Sequence, residues 1–165
     1  MTADELIELA KKRQGDGHYQ EALALANAAI EIDPENADAW WRSALARSAL
    51  EDLVNALPAF AKTVQFAPRF AYGWARYGQC LWRLGHDDRA QEALERALEF
   101  DADEDDALAT LADLYGKKKD EANQFKVLTH LAATKGVSPP RFAALDFLTT
   151  PKNLVFHRRG HIPKR

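Results

Sequence analysis

The feature that most constrains this chain is a period of 34 residues, kept through four successive units. One series of small residues marks the same position in each unit: Ala10, Ala44, Gly78 and Ala112. A second series of large apolar residues stands four positions earlier: Leu6, Trp40, Trp74 and Leu108. A fixed period of this length indicates a repeat protein, in which each unit buries its apolar face against the next.

Within a unit, the sequence predicts two helices joined by a tight turn. In the first unit, Leu6 and Ala10 belong to an apolar stripe at helical spacing, and residues 14–18 contain two glycines that favour a turn. A second helix is predicted over residues 19–32, since Pro34 follows and the residue before a proline is disfavoured in a helix. Small residues where the two helices cross let their backbones approach closely.

These units resemble the tetratricopeptide repeat. The second and third units carry the resemblance most clearly, through Trp40, Ala44, Ala56, Phe60, Thr63 and Pro68, and through Trp74, Tyr77, Gly78, Ala90, Leu94 and Ala97. Residues 3–36, 37–70, 71–104 and 105–138 fit one frame. The last unit departs from the pattern at Gln124, as end units often do. The resemblance implies an all-α, right-handed superhelical solenoid of four helix-turn-helix units.

The region after the repeats divides into two segments. Ser138 is a suitable helix cap before two prolines, and an apolar stretch follows, so we expect a capping helix over residues 139–148. This helix would cover the last repeat and complete a domain of residues 1–150. Residues 151–165 are predicted to form a basic, extended tail, because Gly160 and Pro163 disfavour a long helix there.

Length and cysteine content are consistent with one intracellular domain. A chain of 165 residues is long enough to bury a substantial core. Cys80 is the single cysteine, so no internal disulfide can form, and a reducing compartment suits the chain. The start is acidic and lacks the basic and apolar regions of a secretory signal. We therefore expect a cytoplasmic location.

Charge is distributed unevenly along the chain. Residues 1–134 contain 15 Lys/Arg and 24 Asp/Glu, a net charge of −9, whereas residues 135–165 contain 7 basic residues and one acidic residue, a net charge of +6. An acidic body with a basic end must be accommodated by any functional interpretation.

The concave side of such a solenoid is lined by the first helix of each pair, which predicts the binding residues. Helical projection places a group rich in Trp, Tyr and Arg on this side, the residue types enriched at binding hot spots. The predicted partner contacts are Lys11, Trp41, Arg42, Tyr72, Arg76, Gln79, Trp82 and Arg83. An alternative is that Trp41 and Trp82 only pack between neighbouring repeats.

Some relatives in the resembling family hold the carboxylate end of a chaperone tail in this groove with a set of Lys, Asn and Arg residues. Arg76 matches the arginine of that set, and Lys11 replaces an asparagine. The remaining positions do not match: Ile7, Arg42 and Tyr72. The resemblance therefore argues against a chaperone clamp of that kind, and leaves a different acidic peptide as an open alternative.

No motif in the sequence indicates catalysis, a cofactor or a metal. The acidic residues between Glu99 and Asp106 lack the glycine and ligand spacing of a calcium loop, so we interpret them as a solvated turn before a helix. His157 and His161 have a metal-ligand spacing only on a helix, which Gly160 disfavours. Cys80 has no indicated partner base and is interpreted as a small core residue.

The leading functional hypothesis is therefore a non-catalytic adaptor or scaffold that binds a short acidic or carboxy-terminal segment of another protein. The alternative is an accessory protein of a nucleic-acid assembly, anchored by the tail. The tail residues that would neutralise phosphates are His157, Arg158, Arg159, Lys164 and Arg165. A third hypothesis places this tail in the groove of its own chain or of a second copy, which would form a homo-oligomer.

Overall fold

A computed structural model describes residues 1–137 as an all-helical array without strands in that range. The helices are α1 (Ala3–Gly15), α2 (Tyr19–Ile32), α3 (Ala37–Ala49), α4 (Leu53–Phe66), α5 (Ala71–Arg83), α6 (Asp87–Phe100), α7 (Asp105–Lys117) and α8 (Glu121–Thr134). Each helix packs on the next, and both the odd and the even helices begin at intervals of 34 residues. The predicted all-α solenoid of helix pairs is confirmed.

The predicted capping helix at 139–148 and the tail at 151–165 lie outside the described residues. None of the helices within residues 1–137 is long and apolar enough to cross a membrane.

The two helices of each pair cross at small residues. Ala10, Ala44 and the facing Ala56 are fully buried. In the third pair the constraint is strictest: a Cβ added at Gly78 would lie 2.7 Å from Leu94 Cγ and 3.2 Å from the Ala90 carbonyl oxygen. Leu94 is itself fully buried, so it has little room to move.

The fourth pair departs from the pattern and compensates for it. Gln124 occupies the position where Ala22, Ala56 and Ala90 stand in the other pairs. Its amide lies over Gly116, where an added Cβ would be 2.6 Å from Gln124 Nε2. A glycine in α7 thus provides the space that a small residue in α8 would otherwise have left.

The turn inside each pair contains one residue with positive φ at the same position of the repeat. Gly17 and Gly85 adopt it with φ of 79° and 83°, and Glu51 and Lys119 adopt it with φ of 59° and 57°. The left-handed region is open to glycine and costs other residues about 1–2 kcal/mol. Two of the four turns therefore keep this geometry against the preference of their side chains.

Two of the three connections between pairs are held by tryptophan side chains. The indole Nε1 of Trp40 donates a hydrogen bond of 2.8 Å to the carbonyl oxygen of Pro34. Trp74 repeats this contact with Pro68 at 2.9 Å. Each bond ties the first helix of a pair to the linker that precedes it, and so sets how one repeat follows another.

We expect Gly78→Ala to lower the free energy of unfolding by about 1–2 kcal/mol. Overpacking against Leu94 outweighs the roughly 1 kcal/mol that alanine gains over glycine inside a helix. Gly116→Ala is the matched control, because its added methyl meets only the flexible end of Gln124, and we expect a change within about 1 kcal/mol. Urea unfolding followed by circular dichroism measures both. Equal effects of the two variants would contradict the packing argument.

Candidate partner-binding groove

The middle of the concave side differs from its ends in how neighbouring first helices meet. The backbone of α1 packs against that of α3, and α5 packs against α7, whereas α3 and α5 make almost no backbone contact. The space between α3 and α5 is bridged by side chains. This gap is where the candidate site lies.

Four aromatic side chains form the bridge. The ring of Trp41 contacts Phe60, Phe70 and Tyr72, with centroid distances of 5.8, 5.1 and 5.4 Å and edge-on geometry in each case. Trp41 is 6% exposed and Tyr72 is 39% exposed. Trp41 is therefore the interior of the bridge, and Tyr72 is its solvent-facing edge.

Gly73 gives the ring of Phe70 the space to lie next to Trp41. Phe70 precedes α5 at the position where Asn36 and Glu104 cap the helices of other repeats with their side chains, and it makes no such hydrogen bond. Its ring lies on the backbone of α5, since a Cβ added at Gly73 would be 2.5 Å from Phe70 Cδ1. The first turn of α5 thus gives up a side-chain cap for an aromatic contact.

A cavity of about 250 Å³ opens beside this bridge. It is lined by residues of α3, by one residue of α4 and by the linker before α5: Ala37, Asp38, Trp41 and Arg42; Thr63; and Ala67 and Phe70, respectively. The Thr63 hydroxyl donates a hydrogen bond of 3.0 Å to the Ala59 carbonyl oxygen, so it is not a free donor inside the cavity. The cavity is mainly apolar, with charge at its edge.

Most of the predicted basic contacts are already paired within the chain. Arg42 Nε lies 3.4 Å from Asp38 Oδ1, and Arg42 Nη1 donates 3.3 Å to Gln14 Oε1. Arg83 Nη2 donates to Glu51 Oε2 at 2.5 Å, across the boundary between the second and third repeats. Lys11 Nζ lies 3.8 Å from the exposed carboxylate of Glu8. These side chains have their charges balanced before any partner binds.

Arg76 differs from them. Its side chain is half-buried, its Nε is shielded from solvent, and within residues 1–137 its guanidinium has no hydrogen-bond partner or ion pair. Arg76 stands one helical turn after Tyr72 on α5, on the face that carries the aromatic bridge. Because a shielded Nε–H without a partner is unfavourable, this side chain is suited to receive an anion.

The remaining predicted contacts lie further along α5. Gln79 is half-buried, and Trp82 is partly buried against the apolar cluster that joins α5, α6 and α7. For Trp41 and Trp82, packing between repeats is what the structure shows. A direct contact of either ring with a partner stays a prediction.

The acidic residues after α6 form a turn and a helix start. Glu104 caps α7 by accepting a hydrogen bond of 3.3 Å from the Asp106 N–H. Asp103 lies 2.8 Å from His130 Nε2, and Asp105 accepts hydrogen bonds from Thr134 of α8 and from Lys135, which follows α8. No group of three metal-ligating side chains occurs in the described part of the chain. These carboxylates serve the packing of the fourth repeat.

Two ionisable groups show the effect of their surroundings. Burial raises the pKa of Glu104, and the neighbouring carboxylates of Asp106, Asp101 and Asp105 raise it further. Burial also raises the pKa of the Cys80 thiol, whose Sγ lies 3.6 Å from the Leu53 carbonyl oxygen. A buried thiol with a raised pKa is a poor nucleophile, which is consistent with a packing role.

Sequence reasoning missed the residues that shape the cavity, namely Thr63, Ala67 and Phe70. One signal could have indicated them. Phe70 occupies a position at which Thr2, Asn36 and Glu104 act as helix caps, and a glycine follows it three residues later. The predicted tail contacts, from His157 to Arg165, lie outside the described residues.

Comparison with known proteins identifies the class of protein to which this fold belongs. Residues 47–114 match the family model of the tetratricopeptide repeat. The matched region, which runs from α3 to α7, is therefore a tetratricopeptide-repeat region. The same repeat period and helix pairs extend over residues 3–134.

Individual relatives resemble parts of this chain. It is 28% identical over 140 residues to human DnaJ homolog subfamily C member 3, covering 85% of this chain and 27% of that protein. The chain therefore spans about a quarter of that relative.

Two solved structures share the fold. The crystal structure of MamA protein superposes with a TM-score of 0.76 at 16% identity, covering 81% of this chain and 73% of that chain. The first repeat domain of Spaghetti (RPAP3), bound to an HSP90 peptide, superposes with a TM-score of 0.69 at 22% identity, covering 72% and 94%. At these identities the likeness establishes the fold alone.

The raised pKa of Glu104 predicts a pH-dependent effect of Glu104→Gln. A carboxyl group with a raised pKa in the folded state contributes stability below its unfolded pKa, and this contribution is lost as pH rises through the folded value. Relative to wild type, the variant should therefore be more stable at pH 7 than at pH 4, by up to about 1 kcal/mol because the site is partly solvated. Thermal unfolding at both pH values measures this difference, with Glu92→Gln on α6 as the control. A stability difference between Glu104→Gln and wild type that is the same at both pH values would contradict this prediction.

Proposed function

We propose that this chain is a non-catalytic interaction module whose concave groove holds a short acidic or carboxy-terminal segment of a partner protein. One observation supports the proposal above the others. Arg76 presents a half-buried guanidinium without a carboxylate partner among residues 1–137. It lies on the helix that carries Tyr72, whose ring is exposed enough to contact a ligand.

The chemistry of arginine favours a carboxylate at this position. A guanidinium presents its donors as a planar fork that matches the two oxygens of a carboxylate, and such charge-assisted pairs are stronger than neutral hydrogen bonds. Neighbouring aromatic rings add contact area with little loss of side-chain entropy. An acidic segment laid across Tyr72 and Arg76 would use both kinds of group.

The peptide named for the Spaghetti domain, SRMEEVD, contains two glutamates and ends in aspartate. It illustrates that a domain of this fold can hold an acidic segment. In the present groove, however, the other basic side chains at the predicted contact sites are occupied by the chain's own carboxylates. We therefore propose that the groove recognises the carboxylate of the segment through Arg76 and not through several basic residues.

The charge of the body makes this recognition local. Residues 1–134 carry a net charge of −9, which does not steer an acidic partner toward the protein at long range. Affinity must then come from contacts inside the groove. A single charge pair, between Arg76 and one carboxylate of the partner, would make the groove selective for a short segment.

Arg76→Ala tests this function. We expect it to weaken binding of the native partner by about 1–3 kcal/mol, because the partner's carboxylate loses a shielded counter-charge. Arg89→Ala is the matched control, since Arg89 is exposed on α6 and donates only to the Tyr77 hydroxyl at 3.1 Å. The partner is captured from native lysate with the wild-type chain, and its affinity for each purified variant is then measured by titration.

A chain truncated after Thr150 forms the third arm of the same experiment. Retained affinity in Arg76→Ala, together with loss in the truncated chain, would overturn the groove and move binding to the tail. If the captured material were then sensitive to nuclease, the nucleic-acid hypothesis would replace the present one.

A further inference from the structure

The cavity beside Trp41, between α3, the end of α4 and the linker before α5, has the size of a side-chain pocket. Its volume is about 250 Å³, below the roughly 300–1,000 Å³ typical of sites for whole small molecules. Trp41, which lines the cavity, also contacts Tyr72 of α5, and Tyr72 lies one helical turn before Arg76. An occupant of this size, at this place, is one side chain of a segment bound along the groove.

The lining of the cavity selects an apolar side chain. Trp41 and Phe70 present ring surfaces, and Ala67 presents a methyl group. The Thr63 hydroxyl is already engaged with the backbone of its own helix. Arg42 Nε is shielded without a hydrogen bond, but its charge is balanced by Asp38 at 3.4 Å. A polar occupant would lose its own hydration and find few partners in return.

The charge around the cavity limits the number of carboxylates. Lys11, Arg42 and Arg83 each have a carboxylate of this chain within 4 Å, and the carboxylates are Glu8, Asp38 and Glu51, respectively. A run of acidic residues would meet these carboxylates without finding further unpaired cations at the predicted contact sites. Arg76 alone among those sites calls for one carboxylate.

The distance between the two features sets their spacing in a ligand. Trp41 lines the cavity, and its ring lies 5.4 Å from the ring of Tyr72. Arg76 is four residues after Tyr72 on α5, a rise of about 6 Å along a helix, so Arg76 lies on the order of 10 Å from the cavity wall. An extended peptide advances about 3.3 Å per residue. The apolar residue and the carboxylate should therefore be within about three residues of each other.

We infer that the segment bound by this groove carries one large apolar side chain, which enters the cavity between Trp41, Phe70 and Ala67, and one carboxylate within about three residues of it, which pairs with Arg76. This inference rests on the proposed function and adds the chemical identity of the ligand. It distinguishes the ligand from a polyacidic tail, which has several carboxylates and no required apolar residue.

The test begins with panning of a phage library of random dodecapeptides on the full-length chain. The expected consensus is a large apolar residue with Asp or Glu within about three positions. A consensus of clustered acidic residues without an apolar position, a consensus of basic residues, or no enrichment of the apolar–acidic pair would overturn the inference.

The selected peptide is then synthesised with a fluorescent label, and its affinity is measured by anisotropy. Replacing its apolar residue with Ala and its acidic residue with the corresponding amide should each weaken binding by about tenfold or more. These changes leave the protein untouched, so misfolding cannot explain the loss.

Protein variants separate the two levels of the proposal. Ala67→Leu, which fills the cavity, should reproduce the effect of removing the apolar side chain, and Arg76→Ala that of removing the carboxylate, while Arg89→Ala should bind as wild type does. Dependence on Arg76 without dependence on the peptide's apolar residue would refute the cavity and leave the groove function standing. Independence from both residues would refute both.

Discussion

The close crossing of two helices in each repeat is the constraint on which this structure depends. Ala10, Ala44 and Gly78 let the backbones of a pair approach, and the facing alanines complete the contact. Since each pair is then a thin, two-layered unit, it can bury its apolar residues only against the next pair. The tryptophan bonds to Pro34 and Pro68 fix the linkers, so that this stacking repeats at one spacing.

The groove arises from a local exception to that regularity. Between the second and third repeats, aromatic rings replace the backbone contact that joins first helices elsewhere. Trp41 and Phe70, two of these rings, also line the cavity. Tyr72, a third ring, lies one helical turn before Arg76 on α5, and Arg76 has no neighbour of opposite charge among residues 1–137. The pocket and the unpaired charge thus adjoin the same aromatic bridge.

The period of the sequence was sufficient to predict the helices, because helix starts depend on local patterns that the repeat copies four times. It also predicts that Arg76 and Tyr72 lie on the concave side. It could not predict that Arg83 would be neutralised, since its partner Glu51 is 32 residues away and meets it only after the repeats stack. The cavity could not be predicted for a similar reason. Thr63, Ala67 and Phe70 lie on α4 and the following linker, and they meet the residues of α3 only in the folded chain. Gly116 and Gln124 show the same limit, as two departures that compensate each other only in three dimensions.

The thin boundary between α3 and α5 has a consequence for how the molecule unfolds. In a linear array, cooperativity is transmitted only through interfaces between neighbours. The interface with the least backbone contact is therefore where the array can divide into an amino-terminal and a carboxy-terminal half, each losing its structure on its own. A ligand that spans this boundary would join the halves and add to the coupling that α4 and α5 supply by their own contact. Binding and mechanical continuity would then be one property of the protein.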